Sequence, residues 1–152
     1  MLLKTNDMQF RLTIIGYSNP EMETEEYDSN FLRILVDVQH PKESWSTIDS
    51  SLLTYEVAEL ASWIDAIASG DYGEMELEFI EPNLRFSLVP EKGRIQGIRV
   101  SFSYETAPPS LQGTEDAYEG FAVDFPLAGL DLPSAAQSLR SQLGKFPQRA
   151  DC

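Results

Sequence analysis

Alternation of apolar and polar residues at the two-residue period of a β-strand recurs in six segments, and it constrains the fold most. The clearest segment is 31–40, where Leu32, Ile34, Val36 and Val38 share one face and Arg33, Asp37 and Gln39 share the other. Pro41, which follows His40, ends this strand, because proline has no backbone N–H to donate to the hydrogen bonds between strands. The predicted strands cover residues 9–17, 31–40, 74–80, 84–88, 98–104 and 120–126.

Two further segments have the 3.6-residue period of amphipathic helices. The first helix is predicted at about 55–68, with Thr54 or Asp49 as its N-cap and Gly70 as its stop. The second is predicted at about 132–146, behind Asp131 and with Pro133 in its first turn. The predicted order is therefore ββαββββα. We expect an α+β fold, with one mostly antiparallel sheet of about six strands and both helices packed on one face. A chain of 152 residues is most simply one domain, with an ordered core at about 9–147.

Charge is distributed unevenly along the chain, which carries 25 acidic and 11 basic residues and a net charge of −14. Fourteen of the acids lie in three segments that contain no Lys or Arg. Acidic segment 1 is residues 18–30 and contains Glu21, Glu23, Glu25, Glu26 and Asp28. Acidic segment 2 is residues 71–81 and contains Asp71, Glu74, Glu76, Glu78 and Glu81. Acidic segment 3 is residues 105–119 and contains Glu105, Glu115, Asp116 and Glu119.

A localised negative field repels nucleic acid and anionic membranes and attracts a basic partner. Glu74, Glu76 and Glu78 are predicted on one face of a strand, where like charges repel each other unless a partner supplies Lys or Arg. Trp45 lies in a predicted Ser-Trp-Ser loop. It is most simply a residue that packs in the core or at its rim, and the alternative is a partly exposed ring that contacts a partner. Two interpretations remain open for the acidic residues, a docking surface and a charged surface that only keeps the protein soluble.

The residue combinations that most catalytic mechanisms require are absent from this sequence. The single histidine, His40, excludes a cluster of histidines around a metal, and pairing it with Cys152 at the terminus makes a poor catalytic dyad. No nucleophile elbow, P-loop or dinucleotide fingerprint is present. We therefore predict no catalytic residue, no metal and no cofactor. A carboxylate-based enzyme remains a minor alternative, which would need a deep pocket with two convergent acids. The lack of a signal peptide or spanning segment predicts a cytoplasmic protein.

Several short motifs together resemble the bacterial WapI-like immunity protein family. The resemblance runs from about residue 10 to 147, and residues 77–86 and the Ser44-Trp45-Ser46 loop are its most specific parts. Its motifs are Tyr27-Asp28 with Asn30-Phe31-Leu32, His40-Pro41 with Ser44-Trp45-Ser46, Leu52-Leu53-Thr54 with Glu59-Leu60-Ala61-Ser62-Trp63, Leu77-Glu78-Phe79-Ile80-Glu81-Pro82-Asn83-Leu84-Arg85-Phe86, Phe125-Pro126-Leu127, and Leu139-Arg140-Ser141-Gln142-Leu143 with Phe146-Pro147.

The resemblance implies a non-enzymatic protein that binds the toxic C-terminal domain of a polymorphic toxin, typically a nuclease that attacks RNA. Such a nuclease usually carries a basic groove for phosphates, to which an acidic inhibitor is complementary. We expect the partner to contact one or more of the three segments, with Trp45 as an additional contact. The candidate contact acids are Glu21, Glu23, Glu25, Glu26, Asp28, Glu74, Glu76, Glu78, Glu115, Asp116 and Glu119. The alternative is an acidic adaptor or regulatory module with a different partner.

Overall fold

The computed structural model describes residues 1–150, which form two four-stranded antiparallel sheets and three α-helices. The first sheet has the order β1-β2-β3-β4 and the second the order β5-β6-β7-β8. The strands are β1 Leu2–Lys4, β2 Gln9–Tyr17, β3 Phe31–Gln39, β4 Trp45–Leu53, β5 Glu76–Leu77, β6 Leu84–Glu91, β7 Arg94–Phe102 and β8 Phe121–Pro126. The helices are α1 Thr54–Ala68, α2 Asp116–Glu119 and α3 Leu132–Lys145, and short 3-10 turns lie at Tyr104–Thr106 and Pro109–Leu111.

The buried faces of the two sheets meet in a cluster of aromatic rings. Phe10 of β2 contacts Phe86 of β6 and Phe102 of β7, with ring centroids 6.0 and 5.5 Å apart. Trp45 of β4 contacts Phe102 and Phe121 at 5.3 and 5.9 Å. Three of these four contacts are edge-on, a geometry that aromatic pairs prefer, and together the rings join both sheets into one hydrophobic core.

The two long helices pack against each other, and each presents its predicted apolar stripe to the core. The Asp131 carboxylate caps α3 by accepting the Ser134 N–H at 3.1 Å, as the sequence predicts. The side chain of Gln142 in α3 also closes the open edge of β2, where it accepts the Ile14 N–H at 2.6 Å and donates to the Leu12 carbonyl at 3.3 Å. No helix within residues 1–150 is long and apolar enough to cross a membrane.

The α+β class and the antiparallel pairing are confirmed, but the predicted strand number and order are wrong. The structure adds β1 and β4 and divides the strands between two sheets. Strand β4 contains Ser46, Ser50 and Ser51 and has no clear alternation, so its conformation comes from pairing along β3 and not from propensity. Both predicted N-caps of α1 are also wrong, because Thr54 is its first helical residue and Asp49 lies within β4.

The predicted strand at 74–80 contracts to the two residues of β5, so the ladder of Glu74, Glu76 and Glu78 does not form. Side chains of α1 take hydrogen bonds that a longer strand would make. The Trp63 indole donates to the Glu74 carbonyl at 2.8 Å, and the Glu56 carboxylate accepts the Ile80 N–H at 2.8 Å. Glutamate is also a poor strand former, so the three Glu residues add little stability to a longer strand here.

Candidate functional site

The acidic segments lie on the surface almost in full. Every one of their 14 carboxylates is exposed except that of Glu81, which is half-buried. Of these 14 acids, all of which lie within the described residues, only Glu76 forms an ion pair, with its oxygen 3.2 Å from the Arg85 guanidinium and both side chains about half exposed. The other carboxylates are therefore available to a partner.

The C-terminal end of acidic segment 1 is hydrogen-bonded to the start of α1. The Thr54 hydroxyl donates to the Asn30 side-chain oxygen at 2.8 Å, and the Thr54 N–H donates to the Asn30 carbonyl at 3.0 Å. Within the segment, the Asn30 amide donates to the Glu26 carbonyl at 2.8 Å. These bonds hold the backbone while the Glu and Asp side chains point into solvent.

Acidic segment 2 is also hydrogen-bonded to the start of α1, through Glu56, whose side chain is only 4% exposed. One carboxylate oxygen accepts the Leu53 N–H at 3.0 Å and the other accepts the Ile80 N–H at 2.8 Å. Burial raises the pKa of Glu56, its two backbone hydrogen bonds oppose the rise, and the negative charges of Glu59 and Glu81 add to it. The first turn of α1 therefore lies in a negative field that its own helix and acidic segment 2 create.

Acidic segment 3 runs beside β4, and Asn83 links its beginning to that strand. The Asn83 carbonyl accepts the Thr106 hydroxyl, while its side chain accepts the Ser51 hydroxyl and donates to the Asp49 carboxylate. Burial raises the pKa of Asp49, and the neighbouring charge of Glu105 contributes to the rise. The structure thus brings one end of each acidic segment to β4 and the first turn of α1.

The exposed apolar side chains coincide with these segments. Among residues 1–150 nine large hydrophobic side chains are exposed, and six of them lie inside the three acidic segments, which are Met22, Tyr27, Tyr72, Met75, Ile80 and Tyr118. A seventh, Tyr104, immediately precedes acidic segment 3. Sequence reasoning missed these residues, although their positions between acids were a readable signal. Exposed apolar groups among like charges are typical of binding surfaces.

The prediction that Trp45 lies in a loop is wrong, and of its two interpretations the structure supports the packing residue and not the exposed contact. Trp45 is the first residue of β4 and is 7% exposed, and its indole donates to the Thr106 carbonyl at 2.9 Å. A Trp that packs on two core phenylalanines supports the fold beneath acidic segment 3 and offers a partner almost no surface. We therefore remove Trp45 from the candidate contact residues.

His40 makes the local contacts expected of a structural histidine. Its Nδ1 accepts the Lys42 N–H at 3.1 Å, and its ring lies edge-on to Phe121 at 5.0 Å. Cys152, the other half of the weak dyad hypothesis, lies outside the described residues. No group of three or more His, Cys, Asp or Glu side chains within residues 1–150 is arranged to hold a metal ion.

Arg149 braces the beginning of acidic segment 1. Its guanidinium donates to the carbonyls of Asn19, Pro20 and Met22 at 3.2, 2.8 and 2.6 Å, and it lies 3.6 Å from the centre of the Tyr17 ring. The guanidinium therefore joins the Tyr17 ring to three backbone carbonyls at the start of the segment.

Replacing Arg149 with alanine is expected to lower the free energy of unfolding by about 1–2 kcal/mol, because three carbonyls lose a charged donor. The Met22 amide, which donates to the Asn19 carbonyl at 3.1 Å, should exchange its hydrogen faster. The matched control is Arg140→Ala, which breaks a half-exposed ion pair with Asp65 and should cost less than about 1 kcal/mol. Equal effects of the two substitutions on Met22 exchange would show that Arg149 does not brace this segment.

Comparison with known proteins gives one result that bears on function. The family model for the immunity protein WapI-like family matches residues 1–147. No curated protein and no solved structure matches the chain. The matched region includes all three acidic segments and every helix and strand of the two sheets. The chain therefore belongs to the immunity protein WapI-like family.

Proposed function

We propose that this protein binds and neutralises a cognate toxin domain, and that it docks through the surface formed by its three acidic segments. Family membership indicates an immunity protein. The observation that supports docking through these segments is the coincidence of unpaired carboxylates with most of the exposed apolar side chains. Carboxylates steer a basic partner into place, and the apolar groups add contact area that remains favourable at high salt.

The same observation separates this function from that of a protein whose acidity only maintains solubility. Solubility alone is served by carboxylates and is reduced by exposed Met, Ile and Tyr side chains. A protein selected only for solubility would not concentrate those side chains in its most acidic segments. An adaptor with another basic partner would use the same surface, so the identity of the partner must be tested directly.

The chemistry of the surface favours a toxin domain with a basic groove, such as a nuclease that degrades RNA. A nuclease of that kind needs Lys and Arg side chains to hold phosphates, and these cations are complementary to the acidic segments. In this proposal the protein does not bind nucleic acid or membranes, because its surface repels both. It also needs no cofactor, since inhibition requires only binding.

Co-expression with a candidate toxin domain encoded beside the gene tests the proposal. We expect the protein to restore growth of cells that produce the toxin domain and to form a stable complex with the purified, catalytically inactive domain. The association rate should fall steeply between 50 and 200 mM salt, conditions chosen because electrostatic steering is screened across them. Growth arrest that the protein does not relieve, with no complex at either salt concentration, would contradict the immunity function for that pair.

A further inference from the structure

Two exposed tyrosines stand together at acidic segment 3. Tyr104 is 37% exposed and Tyr118, in α2, is 65% exposed. Their ring centroids are 5.4 Å apart and their planes are 69° apart, so one ring presents its edge to the face of the other. They line an open groove of about 500 Å³ together with Glu105, Gln112, Thr114 and Glu115. We call this the tyrosine groove.

The backbone around the tyrosine groove is held in place before any partner arrives. Tyr104 has a φ of 54°, a left-handed conformation that costs energy in a residue with a side chain. Its carbonyl accepts the Ala107 N–H at 3.2 Å and the Gln112 amide at 2.7 Å. Behind Tyr118, Gly120 packs so tightly that an added Cβ would lie 2.1 Å from the Phe102 carbonyl oxygen. The backbone that carries both tyrosines is therefore held close to the end of β7.

We infer that the tyrosine groove receives an arginine side chain of the basic partner, with its guanidinium against the tyrosine rings and its charge near Glu105 and Glu115. This inference rests on the proposed function and names the contact chemistry at one of its segments. A planar guanidinium is favoured here over a lysine ammonium, because it can stack on a ring face while its N–H groups reach carboxylates on both sides.

Charge complementarity supports a cationic occupant. Acidic segment 3 contributes Glu105, Glu115, Asp116 and Glu119 and contains no Lys or Arg that would neutralise them. All four side chains are exposed. An aromatic surface alone would accept any apolar group, but rings surrounded by carboxylates select one that carries positive charge.

The chain contains an internal example of the contact. The Arg149 guanidinium carbon lies 3.6 Å from the centre of the Tyr17 ring, and its N–H groups donate at the same time to carbonyl oxygens. In the tyrosine groove the ring faces and acceptor oxygens are present without such a cation from this chain among the residues that line it. A partner arginine would supply it.

The test compares the wild type with the variant Tyr104→Ala/Tyr118→Ala in binding to the inactive toxin domain encoded by the adjacent gene, with surface plasmon resonance at 150 mM salt. We expect the double substitution to raise Kd roughly ten- to a hundredfold, mainly through faster dissociation. The double Phe variant keeps both rings and should bind within about threefold of the wild type. Ile15→Ala, which removes an exposed apolar side chain outside the three acidic segments, is the matched control for lost apolar surface and should leave Kd nearly unchanged.

A second measurement uses the immunity protein alone and a small probe. Titration with N-acetyl-arginine methylamide should shift the ring resonances of Tyr104 and Tyr118, and the lysine analogue should shift them less at equal concentration. If Tyr104→Ala/Tyr118→Ala lowers the folded fraction, the single variant Tyr118→Ala replaces it, because that side chain is the most exposed of the nine.

The outcomes separate the two proposals. A wild-type complex with unchanged Kd in the tyrosine variants overturns the arginine contact and leaves the immunity function standing. Equal ring shifts with the arginine and lysine probes overturn the preference for a guanidinium. Absence of any complex with the wild type overturns the proposed function for that toxin, and the arginine contact falls with it.

Discussion

Neutralising two exposed acids in each acidic segment is expected to slow association with the toxin domain by about ten- to a hundredfold at low salt. The substitutions are Glu23→Gln and Glu25→Gln in segment 1, Glu74→Gln and Glu78→Gln in segment 2, and Glu115→Gln and Glu119→Gln in segment 3. Glu76 is left intact because it pairs with Arg85. The physical reason is that steering depends on the summed field, so the combined variant should lose most and each pair alone should lose less.

The measurement is the association rate by stopped flow at 25, 100 and 300 mM salt. The three rates of the combined variant should differ less from one another than those of the wild type, since part of the negative field that salt screens has been removed. Asp7→Asn/Glu91→Gln is the control for any one segment pair, because it removes the same two charges at exposed positions outside the segments. If the combined variant associates as fast as the wild type and still protects cells, acidic steering is not part of the mechanism.

Replacing Glu56 with alanine is expected to lower the free energy of unfolding by about 2–4 kcal/mol, because the N–H groups of Leu53 and Ile80 lose their acceptor. The first turn of α1 and the end of acidic segment 2 should loosen together. Glu59→Ala is the matched control, since Glu59 is exposed on the same helix and should cost no more than about 0.5 kcal/mol. Urea unfolding followed by tryptophan fluorescence measures both, and equal losses would refute the role given to Glu56.

The same residue predicts a pH dependence. Burial raises the pKa of Glu56 above its ordinary value of 4.5, so the folded state holds the proton more tightly than the unfolded state. The proton-linked part of its contribution to stability is therefore fully present below pH 4.5 and is lost as the pH rises through the raised pKa of the folded state, while the two backbone hydrogen bonds to the carboxylate remain. The difference in unfolding free energy between the wild type and Glu56→Ala should shrink across that range. A difference that grows with pH would show that the sign of the shift is wrong.

The local sequence pattern was sufficient to predict a helix or strand where one face of that element is buried and the other is exposed to solvent. β2, β3, α1 and α3 lie within one or two residues of their predicted bounds, because their apolar residues recur at the period of the element they form. The acidic segments were equally visible, since charge is a property of composition that folding does not change. The family resemblance was also visible in the sequence, and the match to residues 1–147 confirms it.

Local pattern failed where a segment takes its conformation from its neighbours. β4 has a serine-rich sequence and becomes a strand because β3 offers it a ladder, which places Trp45 in the core. Residues 74–80 alternate well, but some of their backbone groups form hydrogen bonds with the side chains of Trp63 and Glu56 in α1 and not with a neighbouring strand. In both cases hydrogen bonds between distant residues outweighed a propensity difference of about 1 kcal/mol or less.

The sequence by itself determined the class of fold, the two long helices, the strongly acidic character and the family. These depend on residue type and short-range periodicity, which are present before the chain folds. Only the tertiary structure decided that one end of each acidic segment is fastened to β4 and the start of α1, and that Tyr104 and Tyr118 meet at a groove. Those contacts join residues far apart in the chain, and no local pattern records which distant partners will satisfy a buried Asn or Glu.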